Sequence, residues 1–448
     1  MIVLFVWWTY PRHYRIRDIA AELDRTELGW RYDELQSAKP SPPDERNAIV
    51  FLKSLEDQLP GSFTAAQSLF LKQAGDWQRV RKEDENILPD NSAPEELADL
   101  VEKTIKLRLK LPELLKYSTA NYQKQAWDDV MLKGIAPIRP RLAEWWTLLI
   151  VDLGESLRYK NQAAIELRTR LLFHHLVLHQ LPCREDYAQF ARDFLFAGGQ
   201  LERVLSQTTL SDATLTEIDR LLAQLDWIEI ERTGLRFQRA NTYEMTRIYL
   251  DRFQEALELT KNRSSIPWYT KTYFLLAKDD WVEGGTLTME YLQLRLEQLK
   301  DVTKQNDAIA ELVAKVKRFQ PGQNDSPIMR SIKEFRDGGK AQASYQMQGL
   351  EQVRVTLRQA VAMQRILRTA IAVERFRNKT GNSPKTLAEL VPDYMASALD
   401  DPFHPGQPFQ MTVDSKEISI RGARYTTESG LPIEMQFRLP NRPGTSAK

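Results

Sequence analysis

The chain has 448 residues, with 62 Lys plus Arg against 61 Asp plus Glu and a formal charge of +1. At roughly 100–200 residues per domain that length makes two or three folded units, and the even balance leaves no global field drawing the protein to nucleic acid. Hydrophobic residues are 42% and charged ones 27%, a globular composition, and the single Cys183 excludes an internal disulfide framework or a multi-cysteine zinc or iron–sulfur site.

The N-terminus reads MIVLFVWW over residues 1–8 and turns basic with Arg12, Arg15 and Arg17. A span needs about 20 apolar residues, so this run is too short to cross a bilayer by itself. It also lacks the flanking features of a signal peptide. Two readings stand: a short apolar strand or helix start, or the tail of a membrane helix that begins upstream, with Trp7, Trp8 and Tyr10 at the interface where aromatic rings gather. The second is favoured. It predicts a single N-terminal anchor with the body on the exported side, although the three arginines complicate that assignment.

From residue 17 to residue 320 apolar positions recur at three- and four-residue spacing, the helical period. Residues 92–110 are typical: Ser92 can cap, Pro94 sits in the first turn beside Glu95 and Glu96, and Leu97, Leu100, Val101, Ile105 and Leu109 share a face. Further helices are predicted over 140–159, 162–181, 185–196, 211–225, 245–259 and 287–319. Residues 227–237, around Thr233-Gly234, alternate well enough for a hairpin and read equally well as a broken helix. The glycine pairs Gly198-Gly199, Gly284-Gly285 and Gly338-Gly339 suit helix ends. The cluster of Pro321, Gly322, Asn324, Asp325, Ser326 and Pro327 marks a boundary. The layout is therefore an apolar segment 1–10, a helical domain 11–320, a linker and short helix 321–345, a long helix with a small antiparallel sheet 346–440, and a tail 441–448.

The C-terminal part begins with a helix over 349–380 carrying Val353, Leu357, Val361, Leu367 and Ile371 near one stripe. Gly381 stops it and Pro384 restarts the chain. A short helix at 386–391 follows, then strands at 409–413, 417–421 and 433–439 by alternation. Arg375-Phe376-Arg377, Gly381, Pro384, Leu387, Leu390-Val391, Tyr394 and Asp401-Pro402-Phe403 fall in an order that resembles the C-terminal region of type II secretion major pseudopilins. The resemblance implies their helix-plus-small-sheet fold. Their calcium site and secretion role are not carried over, because 421–425 and its neighbours offer almost no carboxylates and a long helical region precedes this unit. More broadly, Glu22-Leu23-Asp24-Arg25-Thr26, Gly29-Trp30 and Pro43-Asp44-Glu45 joined to this unit resemble a family of uncharacterised membrane-anchored proteins of planctomycete-type bacteria. That resemblance implies an N-terminal membrane helix and no particular activity.

Chemistry-bearing residues are few. His175 and His179 lie four apart, one helical face, where two imidazoles can hold zinc. Leu176 stands where a zinc peptidase has glutamate, and spacing identifies no third ligand. Cys183 is near His179 as a nucleophile near a base would be, but Pro182 intervenes, and a lone cysteine is ordinarily a small core residue. Asp279-Asp280 and Asp400-Asp401 read as turn or capping acids, Asp401 as a turn residue before Pro402. Phosphate-binding loops and the hydrolase nucleophile elbow are absent. Over 351–380 seven basic residues, Arg354, Arg358, Arg365, Arg368, Arg375, Arg377 and Lys379, face only Glu351 and Glu374. Such an excess suits anionic lipid or an acidic partner, and a solvated helix face is the expected reading.

The sequence thus predicts a mainly α multi-helical body with a small α+β, pseudopilin-like C-terminal domain. The expected role is a non-catalytic, membrane-tethered scaffold or interaction protein with a protein partner. No cofactor, metal or catalytic residue is assigned, and no nucleic acid. The alternatives are a metal-dependent hydrolase near His175 and His179, and a component of a secretion-type assembly, which an exposed apolar stripe on the 353–371 helix would favour.

Overall fold

A computed structural model of the chain describes residues 15–38, 43–60, 102–118, 120, 142–179, 187–251, 268–300, 306–320, 326–426 and 432–442. The apolar segment 1–10, Cys183, the tail beyond 442 and most of the expected helix 92–110 lie outside these residues. The described chain is mainly helical with a small antiparallel sheet region at its C-terminal end. No helix among the described residues is long and apolar enough to cross a membrane.

In chain order the helices are α1 (residues 15–26), α2 (Tyr32–Ser37), α3 (Ala48–Ser54), α4 (Ile105–Arg108), α5 (Leu142–Arg158), α6 (Gln162–His179), α7 (Tyr187–Gln207), α8 (Asp212–Ala223), α9 (Trp227–Asp251), α10 (Trp268–Lys300), α11 (Asn306–Lys317) and α12 (Pro327–Thr380). Local chemistry sets several ends. Ser211 caps α8 by accepting the Thr214 N–H, Asp212 follows at the positive end of the dipole, and Leu215, Ile218 and Leu222 are buried at helical spacing. Gly381, at φ +73°, closes α12 in the left-handed conformation that glycine adopts without Cβ strain.

Four expectations are corrected. Residues 227–237 form neither hairpin nor broken helix: they open the continuous α9, with Ile230, Leu235, Phe237 and Ala240 buried. Gly234 is no turn there; the Tyr187 ring lies against it, and a Cβ would come within 2.2 Å of that ring. The expected helix 287–319 is two helices, α10 and α11. The short helix expected within 321–345 and the long helix expected over 349–380 are one run, α12, from Pro327, broken only at Asp337. The pairs Gly198-Gly199 and Gly284-Gly285 sit inside helices. There they mark crossings: a Cβ on Gly198 would lie 2.7 Å from Met363 Cγ, and one on Gly284 2.1 Å from the Gly339 carbonyl oxygen.

Two cores lie along α12. The larger joins α5 to α8 through Trp145, Leu149, Leu171, Phe194, Leu201 and Leu222 to the C-terminal half of α12 through Ile366, Leu367 and Ile371. The same core takes in Ile418, Ile420, Phe437 and Leu439 of the sheet. That sheet is antiparallel in the order β1 (Gln410–Val413), β2 (Glu417–Arg421), β3 (Gln436–Pro440), with Ile418 opposite Leu439 and Ile420 opposite Phe437. Its buried face therefore meets α7 and α12, and the Glu202 carboxylate on α7 accepts the Arg438 N–H at 2.8 Å. A smaller core joins Leu235, Leu287, Tyr291, Leu292, Leu312, Val316 and Met347 from α9 to α12. Helix α1 adds Ile16, Ala20 and Leu23 against Val282 and Met289 of α10, and Trp30 joins the same cluster.

Candidate functional site

Helix α6 carries the three histidines of interest, and packing takes up the two whose side chains are described. The His174 Nε2 lies 3.0 Å from the Leu114 carbonyl oxygen and 2.9 Å from that of Tyr117. Carbonyls only accept, so this nitrogen carries the proton, and burial pushes the imidazole below its ordinary pKa against the pull of both carbonyls. His175 is buried and stacks on Trp146, ring centroids 5.9 Å apart. His179 is the last residue of α6, and its side chain lies outside the described residues. Among the described residues no three His, Cys, Asp or Glu side chains converge as metal ligands would.

The basic run of α12 is not a solvated face. Arg368 Nε donates to Asp219 at 2.7 Å and Arg375 Nε to Asp212 at 2.8 Å, both on α8 or its first turn. Arg365 donates to the Asp400 carbonyl at 2.6 Å, and Arg377 to the Pro440 carbonyl at 2.8 Å and to the Glu374 carboxylate. Lys379 sits over the Tyr394 ring at 5.7 Å. These residues tie the long helix to elements before and after it. The apolar stripe is likewise internal: Leu357, Leu367 and Ile371 are buried in the larger core, and Val353 and Val361 are half-buried against it.

Asp401 is a turn residue, as its place before Pro402 predicts, and it does more. Its carboxylate accepts the Phe403 N–H at 2.9 Å and, across the fold, the Ala423 N–H at 2.8 Å. Only 2% of the residue is exposed, so the carboxylate serves as a buried brace between two loops.

A group of ionisable side chains that sequence reasoning missed lies where α9, α10 and α12 meet. Arg295 of α10 donates through Nε to the Tyr291 hydroxyl at 3.1 Å, and that hydroxyl donates to Glu351 of α12. Glu351 also pairs with Arg295 itself and, at 3.0 Å, with Arg354 Nε. Burial raises the Tyr291 pKa and lowers that of Arg295. Glu231 of α9 faces the same group. Burial pushes its carboxyl above the ordinary range although Arg295, Arg354 and Arg358 pull the other way. This junction sets a buried carboxyl beside a positive excess, and its hydrogen bonds link α10 to α12. Its members come from positions 231, 291 to 295 and 351 to 358, so spacing alone gave no sign of it.

No protein-family model, curated protein or solved structure matches the chain.

Proposed function

We propose that the chain is a non-catalytic scaffold or interaction protein, tethered to a membrane through its N-terminus and working with a protein partner on the exported side. The observation that supports this reading is where the reactive side chains are used. His174 braces two carbonyls, His175 packs on Trp146, and the arginines of α12 hold neighbouring elements. A chain whose charged groups serve mainly to fix helices against one another is suited to presenting a rigid surface. In the same reading the C-terminal unit is pseudopilin-like, which is supported by a long helix stopped at Gly381, the Asp401-Pro402-Phe403 turn and a small antiparallel sheet after it.

Two measurements on the full chain test this. After production in bacteria, membranes washed at alkaline pH should retain the full chain and release a chain lacking residues 1–14. Release of both removes the tether. Elemental analysis of freshly purified protein should find no stoichiometric zinc. Zinc that disappears in the His175→Ala, His179→Ala double variant overturns the non-catalytic reading and directs assays to hydrolysis.

A further inference from the structure

Helix α12 runs for 54 residues with non-helical backbone angles at one position, Asp337, at φ −126° and ψ 24°. Sharp breaks in long helices come from proline, from glycine or serine pairs, from a bulge or from a group inserted into the hydrogen-bond ladder. Proline is absent near Asp337, the pair Gly338-Gly339 follows it directly, and a side chain from another helix enters the ladder at that pair. The Gly339 N–H, in the first turn after the break, donates to the Asp280 carboxylate of α10 at 2.5 Å. The restarted helix is thus capped from another helix, the role an N-cap side chain has within its own.

The surroundings are built for this contact. Helices α10 and α12 cross here at backbone distance: a Cβ on Gly339 would lie 2.4 Å from the Asp280 carbonyl oxygen. The other Asp280 carboxylate oxygen takes the Lys340 ammonium at 2.8 Å, and Glu283 and Asp337 lie 3.3 and 3.9 Å from the same nitrogen. The Phe319 ring, just beyond α11, covers the ammonium at 5.2 Å. Asp280, Asp337 and Lys340 are all buried. After this point Ala343 and Met347 enter the smaller core and Leu357 onward the larger.

We propose that Asp337 is a hinge in α12 and that the Asp280 carboxylate is its latch, fixing the angle between the arm of residues 327–336 and the core-bound remainder of the helix. With the latch closed the arm keeps the direction that the break at Asp337 gives it. When Asp280 lets go, the Gly339 N–H loses its acceptor, Lys340 loses its nearest carboxylate, and the arm turns about Asp337 while residues 341–380 stay in place. The device gives the molecule two arm positions without unfolding either core.

The test is amide hydrogen exchange on the full chain. Asp280→Ala is expected to speed exchange across 327–340 at least tenfold and to leave the core segment 362–373 unchanged. Asp280→Asn, which keeps an acceptor for Gly339, should retain most of the protection. Spin labels at Lys333→Cys and Gln352→Cys in a Cys183→Ser background supply a second readout. One narrow distance distribution in the parent should broaden or split with Asp280→Ala, and with Lys340→Met if the alanine variant does not fold. Unchanged exchange in 327–340, an equal rise in both segments, or an unaltered distance distribution overturns the hinge.

Discussion

Arg377 shows how a single side chain joins distant parts of this chain. Its guanidinium meets the Glu374 carboxylate one turn away, the Ser383 hydroxyl beyond the helix end at 3.1 Å and the Pro440 carbonyl at 2.8 Å. Glu374 is 1% exposed, and burial raises its pKa despite the adjacent charge. Removing one member of such a buried pair strands the other, so Arg377→Ala should cost about 3–5 kcal/mol in urea unfolding. The paired replacement Glu374→Gln with Arg377→Met should cost less, since no bare charge remains. Glu231 makes the opposite case. Its folded pKa lies above the unfolded one, so its contribution is fully present below the unfolded value near 4.5 and is lost as pH rises through the folded value. Glu231→Gln, fixed in the neutral form, should therefore match the parent in stability at pH 4 and exceed it at pH 8. A parent that is the more stable at pH 8 would show that the three arginines outweigh burial.

At the scale of elements, the sequence located α5, α6 and α8 to within two residues: α5 and α8 show the core an apolar face that the 3.6-residue repeat makes visible, whereas α6 is buried on nearly all sides over 171–178 and is marked by its apolar run instead. What it misplaced were the glycines. Gly234, Gly198 and Gly284 look like punctuation in a linear reading, and in the fold each is the point where a neighbour comes too close for a side chain. Nothing local distinguishes a glycine that ends a helix from one that admits another helix. The obstacle at each site sets the cost of adding a methyl group. Gly198→Ala meets the flexible end of Met363 and should cost roughly 1 kcal/mol, whereas Gly284→Ala meets the Gly339 backbone and should cost about 3 kcal/mol or more in thermal unfolding. The charged junction was illegible for a related reason: Arg295, Glu351 and Glu231 meet only because three helices cross, and the partners of Arg368 and Arg375 lie 149 and 163 residues away.

For the molecule as a whole, α12 is the common wall of both cores. Composition and helical period predicted the mainly helical class, and alternation the late sheet, but they gave no hint that the sheet and the early helices share one interior. A cut that follows the turn-rich stretch near residue 321 should therefore fail to release two folded pieces. A fragment spanning 346–448 leaves Leu357, Ile366, Leu367 and Ile371 without α7 and α8. It should bind an apolar dye strongly and lack a cooperative melt; a sharp transition with little dye binding would mean that the C-terminal unit is self-sufficient.

The clasp between α7 and residues Arg438 and Arg442 has a consequence for biosynthesis. Arg442 donates to the Leu205 and Thr208 carbonyls at 2.7 and 2.8 Å, across 237 and 234 positions of sequence, and Glu202 waits for Arg438. At 5–20 residues per second a ribosome needs on the order of ten to fifty seconds to supply those partners after α7 has emerged. Throughout that interval the face of α7 that will hold the sheet stands open to water and to other nascent chains, so escape from aggregation depends on how quickly translation reaches Arg442 or on a chaperone that shields it.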